Sequence, residues 1–307
     1  MTPGPARKPH LKDRIEYAAL AGGLAVLRAP GLRGGRRLGE GLGTVSAHLL
    51  PIRRTVALDN LRQALPGLDS GQRVRVYRAM CRNLGRVLAD FARLTVMDAE
   101  AIRAFVRFDG LDRLARRTGG ALLLSAHYAN WEASAAGMAA RGVPLTVLGA
   151  RQRNPLVEDL FSRYRSRLGM EALSVRGGLR PIVSALRRGR VVATLADQDG
   201  GRDGFFVPFL GRPASVQAGL FRLAVRLGVP VYPGYCEPDG ETWRSVVEEP
   251  LVPRSGLTGG AAEAEARRIA EAFTARMELL VRAAPEHWFW VHRRWHTRPQ
   301  SPAGDGR

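Results

Sequence analysis

The chain is short of cysteine. Of its 307 residues only Cys81 and Cys236 carry thiols, and neither has a second thiol near it in sequence. That pattern supplies neither a disulfide framework nor a zinc site, and it fits a reducing compartment. Long apolar runs are missing as well. The stretch from Ile15 to Leu27 is apolar apart from Glu16 and is flanked by Arg14 and Arg28, well short of the ~20 residues that cross a bilayer. Met1 to Lys12 is polar, Pro-rich and basic, without the cleavage pattern of a secretory signal. There is no Gly-x-Ser-x-Gly elbow and no glycine-rich phosphate loop followed by Lys-Ser/Thr, so a serine nucleophile and an NTP-driven reaction lack support. Acidic residues are also scarce. Lys and Arg number 47 against 28 Asp and Glu, a net charge of +19 carried mostly by arginines spread along the chain. Arginine suits phosphate and carboxylate partners, which leaves anionic lipid surfaces, nucleic acid and phosphorylated metabolites open beside a plain compositional bias.

What is present divides at about residue 100. The first hundred residues read as helices: residues 14–28, a basic amphipathic segment from Gly34 to Leu50, Arg53 to Leu65, and a long helix capped by Asp69 or Ser70 that runs to Leu94. The basic flanks of the first segment predict a helix lying in the membrane interface, with a core helix as the alternative. From Ala101 to Pro299 short apolar runs alternate with helical patterns. Strands are expected at Ala121–Ser125, Pro144–Gly149, Ala172–Val175, Val191–Leu195, Val229–Tyr235 and Ser245–Glu248, with helices between them and a last one from Ala261 to Ala283. The expectation is an α/β fold with a mostly parallel central sheet flanked by helices, plus an N-terminal helical, membrane-associated extension. A disordered tail is expected over residues 300–307.

The stretch Ser125-Ala-His-Tyr-Ala-Asn-Trp-Glu132 places His127 in a strand-to-helix turn. On one continuous helix a spacing of five would set His127 and Glu132 roughly 140° apart. In a turn, His127 can fold back so that Glu132 accepts its ring N–H and fixes the tautomer, making His127 a general base. Four further blocks concentrate unusual residues. Gly149-Ala-Arg-Gln-Arg-Asn-Pro155 brings Arg151, Arg153 and Asn154 to the end of a strand, where α/β ligands bind. Ala196-Asp-Gln-Asp-Gly-Gly201 carries Asp197 and Asp199; these could cap a helix, pair with arginines or hold a metal, for which no third ligand is evident. Phe205 to Arg212 reads as a hydrophobic loop. Pro285 to Pro299 packs His287, His292, Arg293, Arg294 and three tryptophans into a core edge or a membrane-interface belt. A histidine base with a carboxylate, arginines and greasy surroundings suits acyl transfer to a hydroxyl.

Taken in order, these blocks resemble the lipid A late acyltransferases, the lauroyl and myristoyl transferases of the wider lysophospholipid acyltransferase group. His127 and Glu132 match the group's His-x4-Asp/Glu. Arg151 with Asn154-Pro155 corresponds to an arginine block one residue longer in the family. Asp197-Gln-Asp199 and Val207-Pro-Phe-Leu-Gly211 match its Asp-x-Asp and hydrophobic loops, and His292-Arg293-Arg294-Trp295-His296-Thr297-Arg298-Pro299 its C-terminal signature. The resemblance implies an enzyme on the cytoplasmic face of the cell inner membrane that moves a C12–C14 acyl chain from acyl carrier protein to a hydroxyl of a Kdo-bearing lipid A precursor. It implies no cofactor, no metal and no nucleic acid. His127 and Glu132 would be catalytic, and Arg151, Asn154, Asp197, Asp199, Arg293 and Arg294 would bind substrate or stabilise the oxyanion. An anionic membrane surface and the acidic carrier protein would meet the positive charge. Two rivals stay open: acylation of another membrane lipid, such as a phosphatidylinositol mannoside or a lysophospholipid, and a non-catalytic basic membrane-binding protein.

Overall fold

The computed structural model describes residues 8–299, so the tail expected at 300–307 lies outside the described residues. Four helices come first: α1 (Leu11–Arg28), α2 (Gly31–Leu49), α3 (Arg54–Ala64) and α4 (Ser70–Leu94). The second starts at Gly31 rather than Gly34, since Pro30 already supplies its N-cap position. Asp69 caps α4, accepting from the Gln72 N–H while the Gln72 side chain accepts from the Asp69 N–H. No helix among the described residues is long and apolar enough to cross a membrane.

Six glycines interrupt α2, each costing roughly 1 kcal/mol of helix propensity. Tertiary packing explains why the helix forms anyway. Gly39 and Gly43 lie against the backbone of α4 at Gly85 and Cys81, so closely that a Cβ on Gly85 would run into the Gly39 carbonyl. Gly85→Ala is therefore expected to force the pair apart and cost roughly 1–3 kcal/mol. Gly41 has no neighbour within 4 Å of a built Cβ, so Gly41→Ala should stabilise by roughly 0.5–1 kcal/mol. Urea denaturation of the two variants checks the contrast, and equal effects would refute it.

The remaining elements form the α/β part: α5 (Ala99–Phe105), β1 (Val106–Asp109), α6 (Leu111–Ala115), β2 (Ala121–Ser125), α7 (Trp131–Ala139), β3 (Leu145–Gly149), α8 (Pro155–Arg167), β4 (Glu171–Ser174), α9 (Leu179–Arg187), β5 (Val191–Leu195), β6 (Phe205–Phe209), β7 (Arg212–Val216), α10 (Ala218–Leu227), β8 (Val231–Asp239), β9 (Thr242–Val247) and α11 (Gly259–Ala283). Seven strands make one sheet in the order β1-β9-β8-β2-β5-β3-β4. Every neighbouring pair is parallel except β8 with β9. The expected mostly parallel sheet flanked by helices is thus the observed fold. Phe205–Arg212, expected as a loop, is instead the first strand and turn of a separate antiparallel hairpin, β6–β7. Its alternation buries Phe205, Val207 and Phe209 and leaves Pro208 outside, a period of two that the neighbouring glycines and proline disguise.

A single hydrophobic cluster runs from Leu24 to Trp295. The helical layer is tied to the sheet by a buried ion pair: Arg36 Nε and Nη2 donate to Asp90 Oδ1 and Oδ2 at 2.7 and 2.9 Å, and the Trp243 indole on β9 donates to the same carboxylate at 2.8 Å. The first helix is only half packed. Asp13, Leu24 and Leu27 are buried, whereas Leu11, Ile15 and Val26 remain more than half exposed.

Candidate active site

β2 and β5 are adjacent parallel strands with Ser125 opposite Leu195. Two residues past that pair, His127 and Asp197 stand side by side on turns about 4.8 Å apart, the ordinary strand spacing. The Ala196 N–H donates to the Ser125 carbonyl at 2.8 Å, extending the register into both turns. His127 Nδ1 lies 2.8 Å from Asp197 Oδ1, and the His127 backbone N–H donates to Oδ2 at 2.9 Å. The Trp288 indole N–H donates to Oδ2 at 2.8 Å.

Burial by itself would raise the Asp197 carboxyl. The His127 ring, the Trp288 indole and the His127 backbone N–H together outweigh it and hold the group below the usual aspartate range. An ionised Asp197 accepts the proton on Nδ1, which leaves Nε2 with the free lone pair. The side-chain nitrogen of Gln198 is 3.4 Å from Nε2.

Glu132 does not orient the ring. It sits in the first turn of α7, and among the described residues no hydrogen bond joins it to His127. Asp197 takes that place because adjacent strands bring it there, whereas the helix carries Glu132 past the ring. Burial raises the Glu132 carboxyl, opposed by Arg165 and by a hydrogen bond from the Trp131 indole. Trp131 in turn meets the His127 ring edge-on with centroids 5.2 Å apart. Glu132 therefore reaches His127 only through Trp131.

The turn itself is held from the C-terminal side. The Ala129 N–H donates to the His287 carbonyl at 2.8 Å, the Phe289 N–H to the His127 carbonyl at 3.1 Å, and the Phe289 ring stacks on His127 at 5.9 Å. Ala129 has φ of 45°, a left-handed conformation unfavourable for alanine that these contacts maintain. The tryptophans are not an interface belt: Trp288, Trp290 and Trp295 are 2%, 0% and 7% exposed, packed around Asp197 and the hairpin. Burial lowers His287 and His292, and among the described residues no group of three His, Cys, Asp or Glu could hold a metal ion.

The other expected residues separate by role. Arg294 is 1% exposed and donates to the Gln198 and Ser215 carbonyls. Burial brings its guanidinium down to about 10 against the pull of Asp197 and Asp199, so it braces the Asp-Gln-Asp turn from beneath. Asp199 accepts from Thr297 Oγ1 at 2.7 Å. Asn154 is spent on structure: its oxygen caps α8 at Leu156, and its nitrogen donates to the Asp13 carbonyl and to Glu16 at 2.9 and 3.0 Å. Arg151 is exposed and lies 3.8 Å from Glu158. It follows β3, which β5 separates from β2, so it stands two strands along the sheet edge from the turn that carries His127. Arg293 is exposed. Gln198, Trp131, Trp288 and Phe289 complete the surroundings of the base without having been singled out, although all lie within the blocks already noted.

Beside the base, a cavity of about 140 Å³ opens between the sheet and helices α7 and α8. Leu123, Ala135, Val147, Leu148, Met170 and Leu195 line it, with Glu132 and Arg165 as its charged members. A carboxylate-oriented histidine whose neighbours Ser125, Trp131 and Glu132 line an apolar cavity is equipped to deprotonate a hydroxyl next to a hydrocarbon chain.

Comparison with known proteins agrees. The profile of the family described as bacterial lipid A biosynthesis acyltransferase matches residues 5–297. The chain is similar to a phosphatidylinositol mannoside acyltransferase of Mycobacterium tuberculosis (strain CDC 1551 / Oshkosh), at 29% identity over 228 residues covering 70% of each chain. It is also similar to a lipid A biosynthesis acyltransferase of Haemophilus influenzae, at 26% over 84% of this chain and 80% of that one. The lipid A biosynthesis lauroyltransferase of Escherichia coli K12 is 27% identical over 86% of each. The chain is an acyltransferase and belongs to the bacterial lipid A biosynthesis acyltransferase family.

Proposed function

We propose that the enzyme transfers a fatty acyl group of the C12–C14 class from acyl carrier protein to a hydroxyl of a Kdo-bearing lipid A precursor, with His127 as general base. The observation that carries this reading is the His127–Asp197 pair beside an apolar cavity. Nε2 takes the acceptor's proton as its oxygen bonds to the thioester carbonyl. The Gln198 amide N–H beside Nε2 is a donor for the oxyanion. Collapse breaks the C–S bond, and the thiolate leaves with the proton held on Nε2. Asp197 stabilises the intervening imidazolium, Glu132 steadies Trp131 against the ring, and the cavity receives part of the acyl chain.

The outward faces of the first two helices support a seat on the inner membrane's cytoplasmic surface. Leu38, Leu42, Val45 and Leu49 recur at helical spacing along α2, exposed by 45–73%, among the exposed cations Arg33, Arg37, Arg53 and Arg54. Exposed apolar stripes with basic flanks suit an anionic bilayer.

The test is incubation of the full chain with lauroyl- or myristoyl-acyl carrier protein and a lipid A precursor, read by mass spectrometry. His127→Ala is expected to cut transfer by roughly 10²–10⁴-fold with the fold intact. The mycobacterial relative favours a second acceptor, phosphatidylinositol mannoside. Acylation of that lipid alone would move the assignment there, and transfer to neither would overturn the proposal.

A further inference from the structure

Away from the His127 cavity, a recess of about 270 Å³ lies between α3 and the C-terminal segment. Arg212, Arg293, Trp295, His296 and Arg298 line it, with Asp59 also present. Two of its donors have no acceptor. The Trp295 indole N–H belongs to a residue 7% exposed, and Arg212 Nη1 is likewise buried; both are unpartnered among the described residues. Leaving a buried donor unmade costs roughly 1–3 kcal/mol, so both side chains that wall the recess retain unused donor capacity behind its surface.

The recess is built. The Arg212 guanidinium lies over the Trp295 ring at 5.0 Å, and that ring stacks on Phe209, which pairs with Arg212 across the hairpin. Its charge is also unbalanced. Burial lowers the Arg212 guanidinium, and the nearby Arg298 and Arg62 lower it further, with Asp59 opposing them. The Asp59 carboxylate is itself paired: one oxygen accepts from Arg62 at 2.8 Å and the other from Gln63, which also lines the recess. Arg212, Arg293 and Arg298 lining one small volume, with His296 beside them, match the compact, multiply accepting oxygens of a phosphate.

The recess and the base are joined through one turn. Thr297, between His296 and Arg298, donates to Asp199, and Arg294 holds the Gln198 carbonyl, next to the Asp197 that orients His127. We propose that this recess binds a phosphate group, and that a phosphate carried by the acceptor lipid is anchored there while its hydroxyl is presented to His127. The second half of that statement rests on the acyl-transfer reading of His127.

Two measurements on the full chain separate the parts. Inorganic phosphate, titrated by calorimetry at low salt, is expected to bind saturably. Arg293→Gln, a change at the exposed rim, should weaken that binding roughly tenfold, about one charge-assisted hydrogen bond. Arg212→Gln is a second variant with the same expectation. No saturable binding, or binding indifferent to both substitutions, overturns the site whether or not acyl transfer is ever observed. The kinetic arm compares an acceptor lipid bearing a phosphomonoester with the same lipid after phosphatase treatment. Arg293→Gln is expected to raise KM roughly tenfold for the first only, and inorganic phosphate should compete with that lipid. Equal losses with both lipids overturn the anchoring role, and phosphate that binds without competing assigns the recess to free phosphate.

Discussion

Asp197→Asn is expected to lower kcat by about 10³–10⁴-fold with KM nearly unchanged and the fold retained. The substitution keeps the shape of the side chain but replaces an acceptor with an amide that can donate to Nδ1. His127 would then carry its proton on Nε2, the nitrogen that must accept one, and a base in the wrong tautomer loses on the order of 10⁴ in rate. In the proposed mechanism the carboxylate would also stabilise the imidazolium formed during transfer, which an amide would not. Steady-state kinetics with acyl carrier protein thioester, together with circular dichroism, reads both outcomes. Retention of more than a tenth of the activity would remove Asp197 from the mechanism. A pH signature accompanies the kinetics. Because the carboxyl is held below its ordinary value, its stabilising contribution is present above that value and is lost as pH falls through the depressed one. The melting temperature of the wild type should therefore fall toward that of Asp197→Asn below about pH 4.

Asp90→Ala should be the most damaging single change to stability, at about 3–5 kcal/mol. The Asp90 side chain is 0% exposed and that of Arg36 is 9% exposed. Truncating the acid strands a buried guanidinium and also frees the Trp243 indole. The arginine would keep its bond to the Glu241 carbonyl at 2.8 Å and its place over the Phe105 ring, but neither neutralises its charge. A shift on the order of 10 °C in melting temperature is expected. The double variant Arg36→Met/Asp90→Leu should recover most of the loss, because replacing a buried pair by apolar groups of similar volume is often neutral. A single variant within 1 kcal/mol of wild type would refute the claim that this pair holds the helical layer on the sheet. Since α4 also carries Asn83, which donates to the Glu286 carbonyl at 3.1 Å, loosening that layer should disturb the segment that braces the His127 turn.

Local periodicity was enough to find β2, β3, β5 and the helices around them, because each is a short apolar run bounded by glycine, proline or charge. It was also enough to put His127 in a turn at the end of a strand. The hairpin β6–β7 escaped because Pro208, Gly211 and Pro213 read as turn residues and disguise its period of two. The helix over residues 14–28 has two unlike faces, with Ile15 and Val26 exposed. Leu24 and Leu27 point into the body of the protein, and a helix period cannot say which neighbour will cover a given face.

The sequence by itself determined that the sheet is mostly parallel, that His127 follows a strand in a turn, and that the chain carries the Asp-Gln-Asp and C-terminal blocks. It could not determine the partner of that histidine. Glu132 is five residues from His127 and Asp197 is seventy away, so proximity along the chain favoured Glu132 over the carboxylate that the fold sets against the ring. Tertiary structure decided the matter through strand order. Placing β5 beside β2 in a register that pairs Ser125 with Leu195 leaves the next residues of both strands on neighbouring turns, where a carboxylate and an imidazole two positions further on meet at hydrogen-bond distance. Equally non-local side-chain hydrogen bonds from the C-terminal segment set Arg294 under the turn and Thr297 against Asp199. Hydrogen bonds between distant segments fix such contacts, and they leave no mark in the spacing of the residues they bring together.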